Sequence, residues 1–182
     1  MVWTEPPRTW VLDEVIPFGT LNVHLRDQLI ILKTPINDDG TLKALVAART
    51  TSNQTWTTDT VLADIAGLSF PIGASEVWEF WAIIHYLAPT AADIKFDVTA
   101  PSGASGRHGV AGDRVSGSRT SAPIGTVVTN QGIDSVDFAT VHSGVIVNST
   151  TPGTVQLQSA QNNSSGTNTI YANSGIKAVQ IG

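Results

Sequence analysis

The chain is 182 residues long, has no cysteine and only 14% charged residues, and carries a formal net charge of −5. That length accommodates one domain with an appendage, or two small domains, and it buries enough surface to fold without staples. The missing cysteines remove disulfides, thiol catalysis and Cys-based zinc sites, and the acidic balance argues against a nucleic-acid footprint.

Residues 1–18 read as an extended arm. Pro6, Pro7 and Pro17 each forbid continuing helix or central strand. The arm nevertheless holds Trp3, Trp10, Val11, Leu12, Val15, Ile16 and Phe18, which an extended segment cannot bury by itself. They are expected to lie on the chain's own domain, a sister subunit or a partner. The opening residues lack the basic and apolar regions of a signal peptide, and no apolar run approaches the ~20 residues that span a bilayer. No membrane association is expected, and the N-x-[ST] matches at Asn53, Asn148, Asn162 and Asn163 then imply no glycosylation.

The stretch 19–33, GTLNVHLRDQLIILK, predicts an amphipathic helix. Thr20 suits the N-cap, and Lys33 complements the C-terminal end of the dipole. Leu21, Leu25, Leu29 and Leu32 form one stripe, while Asn22, Arg26 and Lys33 take the other side. Thr34-Pro35 ends it. A helix this short is marginal alone, so the stripe must pack on something: the same chain's β core, sister helices, or a host surface. Asn37 to Gly40 is a turn, and 41–59 reads as short strands or an ordered linker. The organisation expected is an arm and helix over 1–36, linker or short strands over 37–60, and a β domain over 61–182.

From Val61 onward the pattern is that of strands. In 77–87, Val77, Trp81, Ile83 and Leu87 alternate with Trp78, Phe80, Ile84 and Tyr86. Both faces are apolar, so the strand is expected to be covered on both. A sandwich core covers one; the other calls for a second subunit or the N-terminal arm. Trp78, Phe80, Trp81 and Tyr86 are therefore candidate subunit-interface residues. A hairpin over 88–92 leads into 93–99, where Ile94, Phe96 and Val98 point in and Asp93, Lys95 and Asp97 point out. The Gly-rich segment 101–118 reads as a flexible surface loop, locally basic through Arg107, Arg114 and Arg119. Strand candidates follow at 124–129, 136–148, 154–161 and 169–181, the last broken at 173–175, with turn signals between them. From Ala139 to Gly182 the only charged side chain is Lys177. A neutral, amide-rich skin suits a permanently assembled particle better than a freely diffusing enzyme.

Catalytic signals are absent. There is no G-x-S-x-G elbow, and His24, His85, His108 and His142 show no H-x-H or H-E-x-x-H spacing. Glu76, Glu79, Asp93, Asp97, Asp134 and Asp137 are the carboxylates from which a hydrolytic pair would come, and their alternation with apolar residues places them on solvent-facing strand positions. The Asn37–Gly40 turn lacks the downstream ligands of a calcium loop. No cofactor, metal site or enzymatic activity is expected.

The segment from Trp3 to Leu29 resembles an N-terminal segment common in bacteriophage virion proteins. The matching positions are Trp3, Pro7, Thr9, Trp10, Glu14, Ile16, Leu21, Asn22, His24, Arg26, Asp27 and Leu29. Asp13 and Gln28 depart from it, where Gly and Asn are usual. The run from Gly144 to Gly182, with GTVQLQSAQ at 153–161, looks like the last strands of phage head-decoration and fibre jelly rolls, which are often similar to tumour-necrosis-factor-like trimers. The expected fold is thus all-β, a jelly-roll sandwich preceded by an extended arm and one short α-helix. The resemblance implies a homotrimeric structural protein of the virion, bound to the major capsid protein or another virion protein. Decoration or cementing of the outer capsid surface is the first reading; a tail or head fibre that binds host surface glycans is the alternative. Trp3, Trp10, Ile16, Phe18, Leu21, Leu25, Leu29 and Leu32 are then the candidate attachment residues.

Overall fold

A computed structural model describes residues 45–111 and 120–182. The expected arm, the helix over 19–33 and all eight candidate attachment residues lie outside the described residues. Leu45–Gly182 forms one compact unit. It takes in the 41–59 region from Leu45 onward, because that region supplies two strands of the sheet system.

In chain order the strands are β1 (Leu45–Arg49), β2 (Gln54–Thr57), β3 (Ala63–Ile72), β4 (Val77–Leu87), β5 (Ile94–Thr99) and β6 (Ser105–Ala111). Then come β7 (Thr120–Pro123), β8 (Val128–Asn130), β9 (Asp137–Val147), β10 (Gly153–Gln161), β11 (Thr167–Ile170) and β12 (Gly175–Gln180). They form two sheets. The larger runs β1-β12-β4-β9-β6-β7, with β11 joining β4 to β2; the smaller runs β3-β10-β5-β8. Every pairing is antiparallel, and the pairs nest: β1 with β12, β3 with β10, β4 with β9, β5 with β8. A long hairpin rolled up on itself gives this nesting, which is the topology of a jelly roll. The β6–β7 pair is an addition to it, inserted between β5 and β8 and laid along the free edge of β9.

The core lies between the sheets. β4 contributes Trp78, Phe80, Ala82, Ile84 and Tyr86; the smaller sheet contributes Phe70, Ile94, Phe96, Val98, Val155 and Leu157, all buried. Each large apolar side chain so buried stabilises the fold by roughly 1.5–3 kcal/mol. Aromatic contacts tie the layers together: Phe70 sits 5.4 Å from Trp78 and 6.1 Å from Phe80 by ring centroids. The indole Nε1–H of Trp78 donates to Glu76 Oε2 at 2.7 Å, so that ring is buried without an unmet donor. On the larger sheet, the end of β1 crosses close over β3. A Cβ on Gly67, whose φ is +86°, would stand 2.5 Å from Arg49 O. Only glycine fits such an approach.

Several expectations need correction. The segment 101–118 is not wholly loop: Ser105–Ala111 is β6, with Gly106 placed where its backbone comes close to Val145 O of β9. A Cβ on Gly144 of β9 would stand 2.5 Å from Arg107 O of β6. The strand expected at 124–129 is split. Residues 124–126 form a turn between β7 and the three-residue β8. Asp97, expected to point outward, is buried in the core region beside His108. The strands expected at 77–87, 136–148, 154–161 and 169–181 fall where β4, β9, β10 and the β11–β12 pair stand.

Candidate interaction surface

β4 presents the two apolar faces its sequence announces, and among the described residues only one is covered. Trp78, Phe80 and Tyr86 have at most 3% of their surface accessible. They are core residues of the sandwich and have almost no area left to offer a second copy, which argues against three of the four candidate interface residues. The fourth, Trp81, faces outward and is 43% exposed, beside Ile83 at 53%.

The register builds the outward face from there. Trp81 lies between Lys177 of β12 and Ser143 of β9, and Ile83 between Gly175 and Val141. Glu79 lies between Val179 and Val145, and Val77 opposite Val147. Val141, Val145 and Val147 are all exposed. The neighbours of Trp81 on either side are a lysine and a serine, so the indole is not roofed by other apolar groups. The charges on this face are few and stand apart: Glu79, Lys177, Arg107, Arg49 and Asp137.

β9 is the unusual element, because its apolar and polar faces are exchanged. The inward-facing positions are Phe138, Thr140, His142, Gly144 and Ile146; the outward ones include Val141, Val145 and Val147. Each inward polar group has a specific tie. Thr140 Oγ1 accepts from Asn130 Nδ2 at 3.0 Å and donates to Ala111 O at 2.8 Å. His142 pairs with His108 of β6 at 2.7 Å. Gly144 leaves room for the Phe80 ring, whose edge would lie 2.7 Å from a Cβ placed there. These contacts fix the register and turn the valines to the outside.

The remaining chemistry-bearing residues are spent on structure. Glu76 Oε2 accepts from Gly73 N–H as well as from the Trp78 indole, and Asp93 Oδ1 accepts from Gly132 N–H at 2.9 Å. Asp134 and Thr90 exchange two hydrogen bonds that tie the β8–β9 connection to the β4–β5 connection. His85 is exposed on the outer face of β4. Among the described residues no group of three His, Asp or Glu is placed to hold a metal ion. Trp56 of β2 is 6% exposed and part of the core, so its ring is not open to stack on a sugar.

No protein-family model matches the chain, and no curated protein does either. Among solved structures, one resembling it is the tripod from the baseplate of bacteriophage Tuc2009, at 10% identity over 98% of this chain and 99% of that one, with a TM-score of 0.41. Another is the infectious bursal disease virus Gx strain, at 7% identity over 76% of this chain and 39% of that one, with a TM-score of 0.14. Scores this low transfer no function.

Proposed function

We propose that this chain is a non-enzymatic structural component of a bacteriophage virion, a homotrimer that decorates the outer surface of the capsid. The observation that carries the assembly is the outward face of β4 and β9. Trp81, Ile83, Val141, Val145 and Val147 are left exposed together by the described residues, on a strand pair whose inner face is already filled. A monomeric protein gains nothing from such a patch. A heterologous contact repeated around a closed threefold ring covers it on every subunit at once. The viral setting comes from the resemblance of the Trp3–Leu29 segment, and the charge-poor region from Ala139 to Gly182 agrees with a life inside an assembly.

Attachment is assigned to the N-terminal segment with Trp3, Trp10, Ile16, Phe18 and the leucine stripe. Two experiments test the reading. Sedimentation of the full chain at micromolar concentration should give a trimer, and a monomer counts against it. Chains lacking 1–33 should fail to join particles that the full chain joins. Cryo-EM of an intact virion then separates capsid from tail: density on the capsid surface is expected, and density confined to the tail overturns the decoration role.

A further inference from the structure

Two imidazoles meet inside the sandwich where the β6–β7 pair is laid on. His108 of β6 is 1% exposed and His142 of β9 is fully buried. His108 Nδ1 and His142 Nε2 are 2.7 Å apart, and His108 Nε2 is 3.0 Å from Thr126 O in the turn before β8. Asp97 Oδ1 of β5 lies 3.5 Å from the same Nε2, with that oxygen already accepting from Val98 N–H at 2.7 Å. The rest of the setting is aromatic: Phe80 of β4 and Phe96 of β5 lie 6.0 and 5.7 Å from the His142 ring. Apart from Asp97, the charged group bearing on the pair among the described residues is Arg107, the neighbour of His108 on β6.

The surroundings fix the protons. His108 Nε2 faces two acceptors, the Thr126 carbonyl and the Asp97 carboxylate, so it must carry hydrogen. In the neutral pair His108 Nδ1 then accepts from His142 Nε2–H. His142 Nδ1 is left as a bare acceptor, and it has no hydrogen-bond partner among the described residues. A proton added to His108 makes Nδ1 a donor. His142 must then give up its Nε2 hydrogen and carry one on Nδ1, where nothing accepts it. A proton added to His142 instead sets a charge between two phenyl rings. Either way the pair holds its neutral form only while protons are scarce.

We infer that the His108–His142 pair is an acid-sensitive latch that fastens the β6–β7 pair and the 124–127 turn to the jelly roll. The β6–β7 pair is the element that yields because it is weakly rooted. Among the described residues its buried side chains are His108, Val110 and Ala122, against five on β4, and its ladder to the rest of the sheet is with β9 alone. Peeling it away hydrates His108 and opens His142 to water while the nested pairs of the jelly roll stay closed. Burial holds both histidines below their ordinary value of 6.5, His142 at about 3. The closed form therefore binds fewer protons than the open one, and acid drives opening.

Hydrogen exchange on the full chain, read peptide by peptide at pH 7.5 and pH 5.0 and corrected for intrinsic exchange rates, tests this. Protection over 105–111 and 120–127 should fall about thirtyfold for each proton taken up on opening, the factor for 1.5 pH units below 6.5. Protection in β3, β4, β10 and β12 should stay well above it at both pH values, since those strands exchange through global unfolding, which takes up the same protons. In His108→Gln the acid response of 105–127 should shrink or vanish. Should that variant not fold, imidazole NMR titration of the unaltered chain decides, with both ring signals expected to titrate below 6.5. Protection of 105–111 and 120–127 equal to that of β3, β4, β10 and β12, unchanged protection at pH 5.0, a full acid response in folded His108→Gln, or ring signals titrating at 6.5 or above would each overturn the latch.

Discussion

Adjacent residues on β4 should respond to truncation in opposite ways. Phe80 is fully buried between the sheets, against Phe70 and His142. Phe80→Ala should destabilise the subunit by about 3–5 kcal/mol, the usual cost of removing a core aromatic ring. Trp81 is one residue on and points the other way, with 43% of its surface in water. For a side chain of up to about 250 Å², that leaves about 100 Å² to be covered by a neighbouring subunit. At about 25 cal/mol per Å², covering it is worth about 2.5 kcal/mol per contact, near a hundredfold in dissociation constant. Trp81→Ser should therefore move the trimer–monomer midpoint strongly while changing subunit stability much less than Phe80→Ala. Sedimentation velocity over a dilution series reads the first quantity, and urea unfolding at a concentration that keeps both variants dissociated reads the second. If Trp81→Ser assembles like the unaltered protein, the outward face of β4 is not the contact and the assembly argument fails.

Three further outcomes follow from other parts of the fold. Stability should fall with acid: His142 is held at about 3 when folded against 6.5 ordinarily, so the unfolded chain binds the extra proton below about pH 6.5. At pH 5 this one group should cost about 2 kcal/mol relative to pH 7.5, read as a shift in urea midpoint, and no shift would contradict its burial in neutral form. Gly67→Ala should lower stability by at least about 1 kcal/mol, since a positive φ and a 2.5 Å approach to Arg49 O are both incompatible with a Cβ; a thermal melt unchanged from the parent would show that β1 is not held there. Glu76→Ala should cost about 1.5–3 kcal/mol by stranding the Trp78 indole and the Gly73 amide, with Glu76→Gln recovering much of it; equal losses in the two variants would place the effect in charge rather than in hydrogen bonding.

How much of this could be read from the amino-acid order depended on which force set each element. β4, β5 and β10 are governed by apolar periodicity, and their bounds were legible, as was the inward face of β5 at Ile94, Phe96 and Val98. What β4 could not reveal is which of its two apolar faces is the core; that is decided by Phe70 and the smaller sheet, not by β4 itself. β9 was legible as a strand but not as to its facing. Its valines look like the inner set, whereas Thr140, His142 and Gly144 are turned inward by partners on β6, β8 and β4. β6 was hidden because Gly106 and Gly109 read as loop formers, when they occupy a ladder. The histidine pair joins residues 34 apart in sequence, with no spacing that local pattern could detect.

The nesting of the strand pairs bears on how the chain reaches this state. β1 is hydrogen-bonded to β12, from Leu45 opposite Val179 to Arg49 opposite Gly175. The first strand of the sandwich must therefore wait for the last. Contacts of such long range make for slow folding, during which the outer valines of β9 and the exposed Trp81 indole of β4 are open to any passing chain. Newly made subunits should accordingly be most vulnerable to clumping in the interval before the roll closes, and slower synthesis or lower temperature should raise the yield of soluble protein.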